Sequence, residues 1–110
     1  MAASKAHLLK GTLELLLLQA LSPSPSHGYG IARRIELTTG DALAVEEGSM
    51  YPALHRLEAR GLVTARWRTA ESGRRVREYA LSQAGRSELA RKRREWRAFA
   101  GAVERMVGGR

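Results

Sequence analysis

The 110 residues contain no cysteine. No disulfide framework, thiolate metal site or cysteine nucleophile can therefore be built, and cysteine usage leaves the redox compartment open. The histidines offer metal chemistry no footing either. His7, His27 and His55 fall in three different elements, and none has a second histidine or cysteine three or four residues on. Gly28-Tyr29-Gly30 lacks the third glycine and the preceding strand of a phosphate-cradling turn. Glu46-Glu47 is a carboxylate pair only in sequence, placed at a helix entrance where acids complement the helix dipole. With no nucleophile, base and orienting group to assemble, neither an enzyme nor a cofactor is expected. A long apolar run is missing as well. Leu8 to Leu21 has the look of a signal peptide, with Lys5 and Lys10 ahead of its core, yet Glu14 and Gln19 interrupt it and it is too short to cross a bilayer. A buried first helix in a cytoplasmic protein, with no membrane partner, is the better reading.

What the chain has is positive charge. Lysine and arginine number 19 against 11 acids, for a net charge of +8 and a pI of about 11.0. Lys5, Lys10 and Lys92 are the only lysines, so the excess is arginine, whose planar fork suits bidentate contacts to phosphate and guanine. Basicity alone does not separate DNA, RNA and anionic membrane as partners. The length is that of one small domain with a modest core, to which a second subunit would add apolar contact.

The chain divides readily into elements. After a short lead, Met1 to Ala6, a first helix is predicted from about Gly11 or Thr12 to Leu21. The density of Leu13 and Leu15 to Leu18 implies burial on more than one side. Ser22 to Ser26, SPSPS, reads as a turn. A second helix follows from about His27, which caps it, with Tyr29, Ile31, Ala32, Ile35 and Leu37 as its core candidates. Gly28 and Gly30 leave room either for close approach of another backbone, such as the DNA phosphate chain, or for simple tight packing, and Thr39-Gly40-Asp41 closes the helix. The most informative stretch is Glu46 to Val63, EEGSMYPALHRLEARGLV. Met50, Ala53, Leu54, Leu57 and Leu62 recur at helical spacing, Pro52 falls in the first turn, and Gly61 stops the helix in a left-handed conformation. Ser49, Tyr51, His55, Arg56 and Glu58 are left on the other faces.

A hairpin comes next. Val63, Ala65 and Trp67 alternate with Thr64, Arg66 and Arg68; Glu71-Ser72-Gly73 turns the chain; and Arg75 to Leu81 returns with Tyr79 and Leu81 inward. Arg66, Arg68, Arg74, Arg75 and Arg77 stand against Glu71 and Glu78. So lopsided a hairpin beside a helix-turn-helix reads as a wing that grips phosphate or enters a minor groove. Ser82 caps a last helix reaching about Val107. Leu89, Trp96 and Val103 occupy one heptad position and Phe99 and Met106 the other, with Lys92 weakening the seam and Arg91 to Arg94 a solvated face. Such a seam wants a partner helix, and a helix of roughly 25 residues, about 37 Å, is longer than this domain needs.

Four motifs, KGTLELLLLQAL, HGYGIARRIE, EEGSMYPALHRLEARGLV and RRVREYALSQAGR, cover nearly the whole chain, in an order that resembles the PadR family of transcriptional regulators, its short class. Met50 departs conservatively from the leucine, threonine or isoleucine usual before the tyrosine of the third motif. The expected fold is mainly α with a small β-hairpin: a winged helix-turn-helix over residues 1–82 and a C-terminal dimerisation helix over 83–110, packed together. The expected function is a homodimeric, sequence-specific regulator binding double-stranded DNA at a palindromic operator. DNA contacts are expected from Lys10, Tyr29, Ser49, Tyr51, His55, Arg56, Arg74, Arg75 and Arg77, and dimer contacts from Leu13, Leu16, Leu89, Trp96, Phe99, Val103 and Met106. The resemblance further implies repression relieved by an inducer, with a flat aromatic effector sandwiched at Trp96 across the dimer, although packing is the commoner role of such a tryptophan. The alternative is an architectural DNA- or RNA-binding protein without sequence choice. A third possibility is an interaction module whose last helix docks on another protein.

Overall fold

The computed structural model describes residues 10–108; Met1 to Ala6 and His7 lie outside the described residues, as does the side chain of Lys10, which opens the first helix. Four helices and a three-stranded antiparallel sheet follow one another as α1 (Lys10–Leu21), β1 (Ser26–His27), α2 (Gly28–Thr38), α3 (Glu47–Ala59), β2 (Val63–Thr69), β3 (Arg75–Leu81) and α4 (Gln83–Val107). The sheet order is β1-β3-β2. The helices, hairpin and last helix therefore stand where the periodicities place them. One strand was not anticipated: β1 lies at the end of the SPSPS turn, with Ser26 opposite Tyr79 and His27 opposite Glu78. Two residues are too short to show an alternation.

The core is built on α1. Leu13, Leu17, Leu18, Ala20 and Leu21 are buried, Leu15 and Leu16 pack at its edge, and among residues 11–21 only Gly11 and Gln19 are exposed. Ile31 and Ile35 of α2, Met50, Ala53, Leu54 and Leu57 of α3, Val63 and Tyr79 of the hairpin and Leu89 of α4 complete it. Tyr29 and Leu37, expected in this core, are instead 68% and 66% exposed. α2 presents Ile31 and Ile35 inward, and those two positions lie four apart, a separation that leaves Tyr29 and Leu37 on other faces.

The helix ends follow local chemistry. Nδ1 of His27 accepts a hydrogen bond from Gly30 N at 3.0 Å and Ser82 Oγ accepts one from Gly85 N at 3.0 Å, so each side chain caps its helix. α3 ends in a Schellman motif: Leu62 N donates to Leu57 O and Gly61 N to Glu58 O, both at 2.9 Å, with Gly61 at φ +75°. This geometry carries Leu62 past the helix end while keeping it in the core. α3 begins one turn earlier than Pro52 suggests. With Glu47 as its first residue, Pro52 falls in the second turn, where its missing N–H leaves the Gly48 carbonyl without its helical donor.

α4 begins on the core and ends away from it. Gly85 is buried, and its α-carbon lies so close to the Leu62 carbonyl that no side chain fits between them. Leu89 is the last buried residue of the helix. Beyond it α4 runs outward, and the molecule measures 53 Å along its longest axis against 22 Å along its shortest.

Candidate nucleic-acid interface

The first turn of α2, the outer face of α3 and the inner face of the hairpin enclose one open groove of about 490 Å³. Its lining gathers Tyr29 from α2, Tyr51 and His55 from α3, and Trp67, Arg74, Arg75 and Arg77 from the hairpin. Six of the residues expected to touch nucleic acid thus share a surface. Tyr51 is also structural: its ring lies against Gly28, where an added β-carbon would sit 2.7 Å from two ring carbons. The close approach that Gly28 allows is therefore to an aromatic side chain and not to another backbone. Ser49 is exposed two residues before Tyr51 but does not line the groove.

Strand register sorts the hairpin's arginines. Residues of β3 alternate faces, and Arg66 stands opposite Glu78 while Trp67 stands opposite Arg77. On one face Glu78 is buried and accepts from Arg66 at 3.2 and 3.3 Å and from Arg68 at 2.6 Å. The Arg68 hydrogen bond holds the Glu78 carboxyl below its ordinary value, against the opposing effect of burial. On the other face Arg77 makes a two-pronged bond to Glu58 of α3, at 3.1 and 3.2 Å, and lies over the Tyr79 ring. Burial pushes the Tyr79 phenol up. Arg66, Arg68 and Arg77 therefore brace the hairpin internally. Arg74 and Arg75 are exposed and have no acidic partner among the described residues; Arg75 lies 5.6 Å over the indole of Trp67. Trp67 itself is 58% exposed, because β2 runs past the core edge after Ala65.

Arg56 is the main departure from expectation. Its side chain turns from the groove toward α1, with Nε 3.6 Å from Glu14 Oε2, and it is absent from the groove lining. Glu14, which the sequence shows only as a break in a leucine run, is buried where α1, α3 and α4 meet, and Arg60 and Lys92 also converge on it. Lys92 is thus neither a weak seam residue nor part of a solvated run, and Arg91 beside it pairs with Glu88 and Glu95.

The expected dimer residues divide in two. Leu13 and Leu89 are each 5% exposed inside the protomer's own core, which leaves little of either for a second chain. Leu16 is half-buried. Trp96, Phe99, Val103 and Met106 stand out from the body of the protomer at 47%, 63%, 41% and 83% exposure, and the Trp96 and Phe99 rings are 6.2 Å apart. Among the described residues no helix is long and apolar enough to cross a membrane, and no cluster of His, Cys, Asp or Glu could hold a metal ion.

Comparison with known proteins places this arrangement. A family model described as the transcriptional regulator PadR-like family matches residues 17–91. A transcriptional regulator of Mycobacterium tuberculosis is 32% identical over 85 residues, covering 77% of this chain and 76% of that one. An uncharacterized 37.1 kDa protein in a transposon of Streptomyces fradiae is 40% identical over 90 residues, which span 82% of this chain but 24% of that protein. Among solved structures, a PadR family transcription regulator of Clostridium difficile superposes with a TM-score of 0.71 at 28% identity, over 86% of this chain and 95% of that one. A Streptococcus mutans protein gives 0.81 at 28% identity, over 93% and 92%.

Proposed function

The chain belongs to the PadR-like family of transcriptional regulators, and from that premise we propose that it is a homodimeric repressor acting in the cytoplasm on a palindromic DNA operator. α3 enters the major groove and presents Ser49, Tyr51 and His55 to base edges and backbone. Tyr29 on α2 meets the adjoining phosphates, and Lys10 is a further candidate for them. Arg74 and Arg75 hold the flanking backbone from the wing. The observation that carries this reading is the groove itself, which brings α3, the α2 entrance and two unpaired arginines to one side of the molecule.

The uncovered stripe of α4, from Trp96 to Met106, supports dimerisation through residues 83–110, with Leu16 of α1 at the edge of the contact. Paired copies of that stripe bring two Trp96 indoles near the axis. A flat aromatic effector stacked there would push the helices apart and alter the spacing of the two α3 helices, which the duplex fixes at about 34 Å. Such a ligand releases DNA only by favouring the non-binding geometry.

Selection from a random-sequence duplex pool, followed by light scattering of the complex, tests the reading. A palindromic consensus bound by two chains is expected. Equal affinity for unrelated duplexes at fixed salt would instead make this an architectural protein.

A further inference from the structure

The hydrophobic effect that seats α3 is non-directional. Met50, Ala53, Leu54 and Leu57 turn one face of the helix to the core and so set its roll coarsely, which leaves the finer roll and slide to be fixed by other contacts. Directional contacts do that, and α3 has them on two flanks. On the wing side Glu58 is gripped by Arg77. On the opposite side Arg56 and Arg60 reach one acceptor, Glu14 of α1, at 3.6 and 3.3 Å. Lys92 of α4 approaches the same carboxylate at 3.7 Å, and Arg60 extends its other nitrogen to Glu88 of α4 at 3.7 Å.

The Glu14 side chain is only 6% exposed. Burying a carboxylate among cations contributes little net stability, and an apolar group of similar size often serves a core as well. Its geometry is the more informative property, because one buried acid fixes the distance from α1 to two cations of the α3 end and one of α4. Arg56 Nε is buried and makes no hydrogen bond, so this arginine is held by charge and position alone.

We propose that Glu14 is a positioning residue for DNA recognition: by binding Arg56, Arg60 and Lys92 together it sets the roll of α3 and ties that roll to the orientation of α4. The proposal rests on the DNA-binding reading above. It makes Arg56 a spacer within the protein and not a reader of bases, and it gives a displacement of α4 a direct path to the recognition helix through Lys92 and Glu14.

The measured quantity is the ratio of affinities for a duplex selected by the wild-type protein and a scrambled duplex of equal length. Glu14→Gln removes one negative charge, so charge alone would tighten binding to both duplexes and leave the ratio unchanged. A misplaced α3 loses base contacts, each worth about tenfold or more in discrimination. The expected result is a ratio that falls about tenfold while scrambled-duplex affinity holds or rises. Lys92→Met is the second variant. It keeps most of the side-chain packing, lies on α4 away from the groove, and by charge alone would weaken both duplexes equally. It too should lower the ratio, and it decides the matter should Glu14→Gln fail to fold by circular dichroism. An unchanged ratio in a folded variant overturns the proposal. Wild-type protein that selects no duplex defeats the DNA-binding reading instead.

Discussion

Among the described residues, only two of the five wing arginines lack an acidic partner, and on the DNA-binding proposal salt dependence measures how many neutralise phosphate. Each phosphate neutralised adds about 0.9 to the slope of log affinity against log salt. Arg74 and Arg75 are exposed and without acidic partners among the described residues, so changing both to alanine should flatten the slope by about 1.8 for each wing engaged. Raising salt fourfold should then weaken the wild-type protein about 12-fold more than the double variant, per wing. The assay is fluorescence anisotropy of a labelled duplex at stepped salt. Arg68→Ala is the control matched to Arg74→Ala alone: each removes one formal charge, but Glu78 already accepts from Arg68 at 2.6 Å, so the slope should move far less. A slope that falls as much for Arg68→Ala as for Arg74→Ala would refute the sorting of these arginines by their internal partners.

Three further outcomes follow from the packing. Gly85→Ala would drive a methyl group into the Leu62 carbonyl, and should cost about 1–3 kcal/mol in urea unfolding; an unchanged midpoint would mean that α4 shifts freely over the hairpin. The folded Glu78 carboxyl is held below its ordinary value by Arg68, so its stabilisation is present above the unfolded value and lost as pH falls through the folded one. Glu78→Gln should therefore flatten the loss of stability with acid, and melting curves that keep the wild-type acid slope would count against it. Phe99→Glu places a charge in the uncovered α4 stripe and should bring the mass seen by light scattering from about twice 12.1 kDa to that single-chain value; an unchanged dimer would move the interface elsewhere.

The fold was legible where a local rule decides it. Met50, Leu54 and Leu57 repeat at helical spacing, Gly61 supplies the left-handed turn, Ser82 caps α4, and Val63, Ala65 and Trp67 alternate with Thr64, Arg66 and Arg68, so these elements are visible in one dimension. What stayed hidden depends on residues far apart in sequence. Glu14 meets Arg56, Arg60 and Lys92 across 42 to 78 positions, and nothing near Glu14 marks it as their common acceptor. Tyr29 reads from the sequence both as a core candidate and as a nucleic-acid contact, and its exposure follows from which face of α2 the isoleucines claim. Gly85 gives no local sign either; its necessity comes from a carbonyl in the turn before β2. One signal does mark the turn of Arg56 toward α1: it falls six residues after Met50 and one before Leu57, close to the buried stripe of α3.

The charge of the chain takes on a different meaning once its partners are known. Of the arginines counted in the sequence, Arg33, Arg56, Arg60, Arg66, Arg68, Arg77 and Arg91 are ion-paired, and Arg34 is spent on the carbonyls of Ala20, Ser24 and Pro25. Among the described residues, those with neither an acidic partner nor such carbonyl bonds are Arg74 and Arg75 at the wing, and Arg86, Arg93, Arg94, Arg97 and Arg105 along α4. None lies on α3. The surface proposed to read sequence therefore offers Ser49, Tyr51 and His55, which donate and accept hydrogen bonds and include no guanidinium, while the unpaired cations sit on the wing and along α4. That separation has a physical consequence. A guanidinium on α3 would attract any duplex it met, through phosphates that carry no sequence information. Hydrogen-bonding side chains gain little from a wrong sequence and lose a hydrogen bond to it, so an α3 without free guanidinium groups binds all duplexes more weakly but enlarges the difference between the right one and the rest. On the proposal made for Glu14, its buried cluster serves this end twice, by holding α3 in place and by keeping Arg56 against α1.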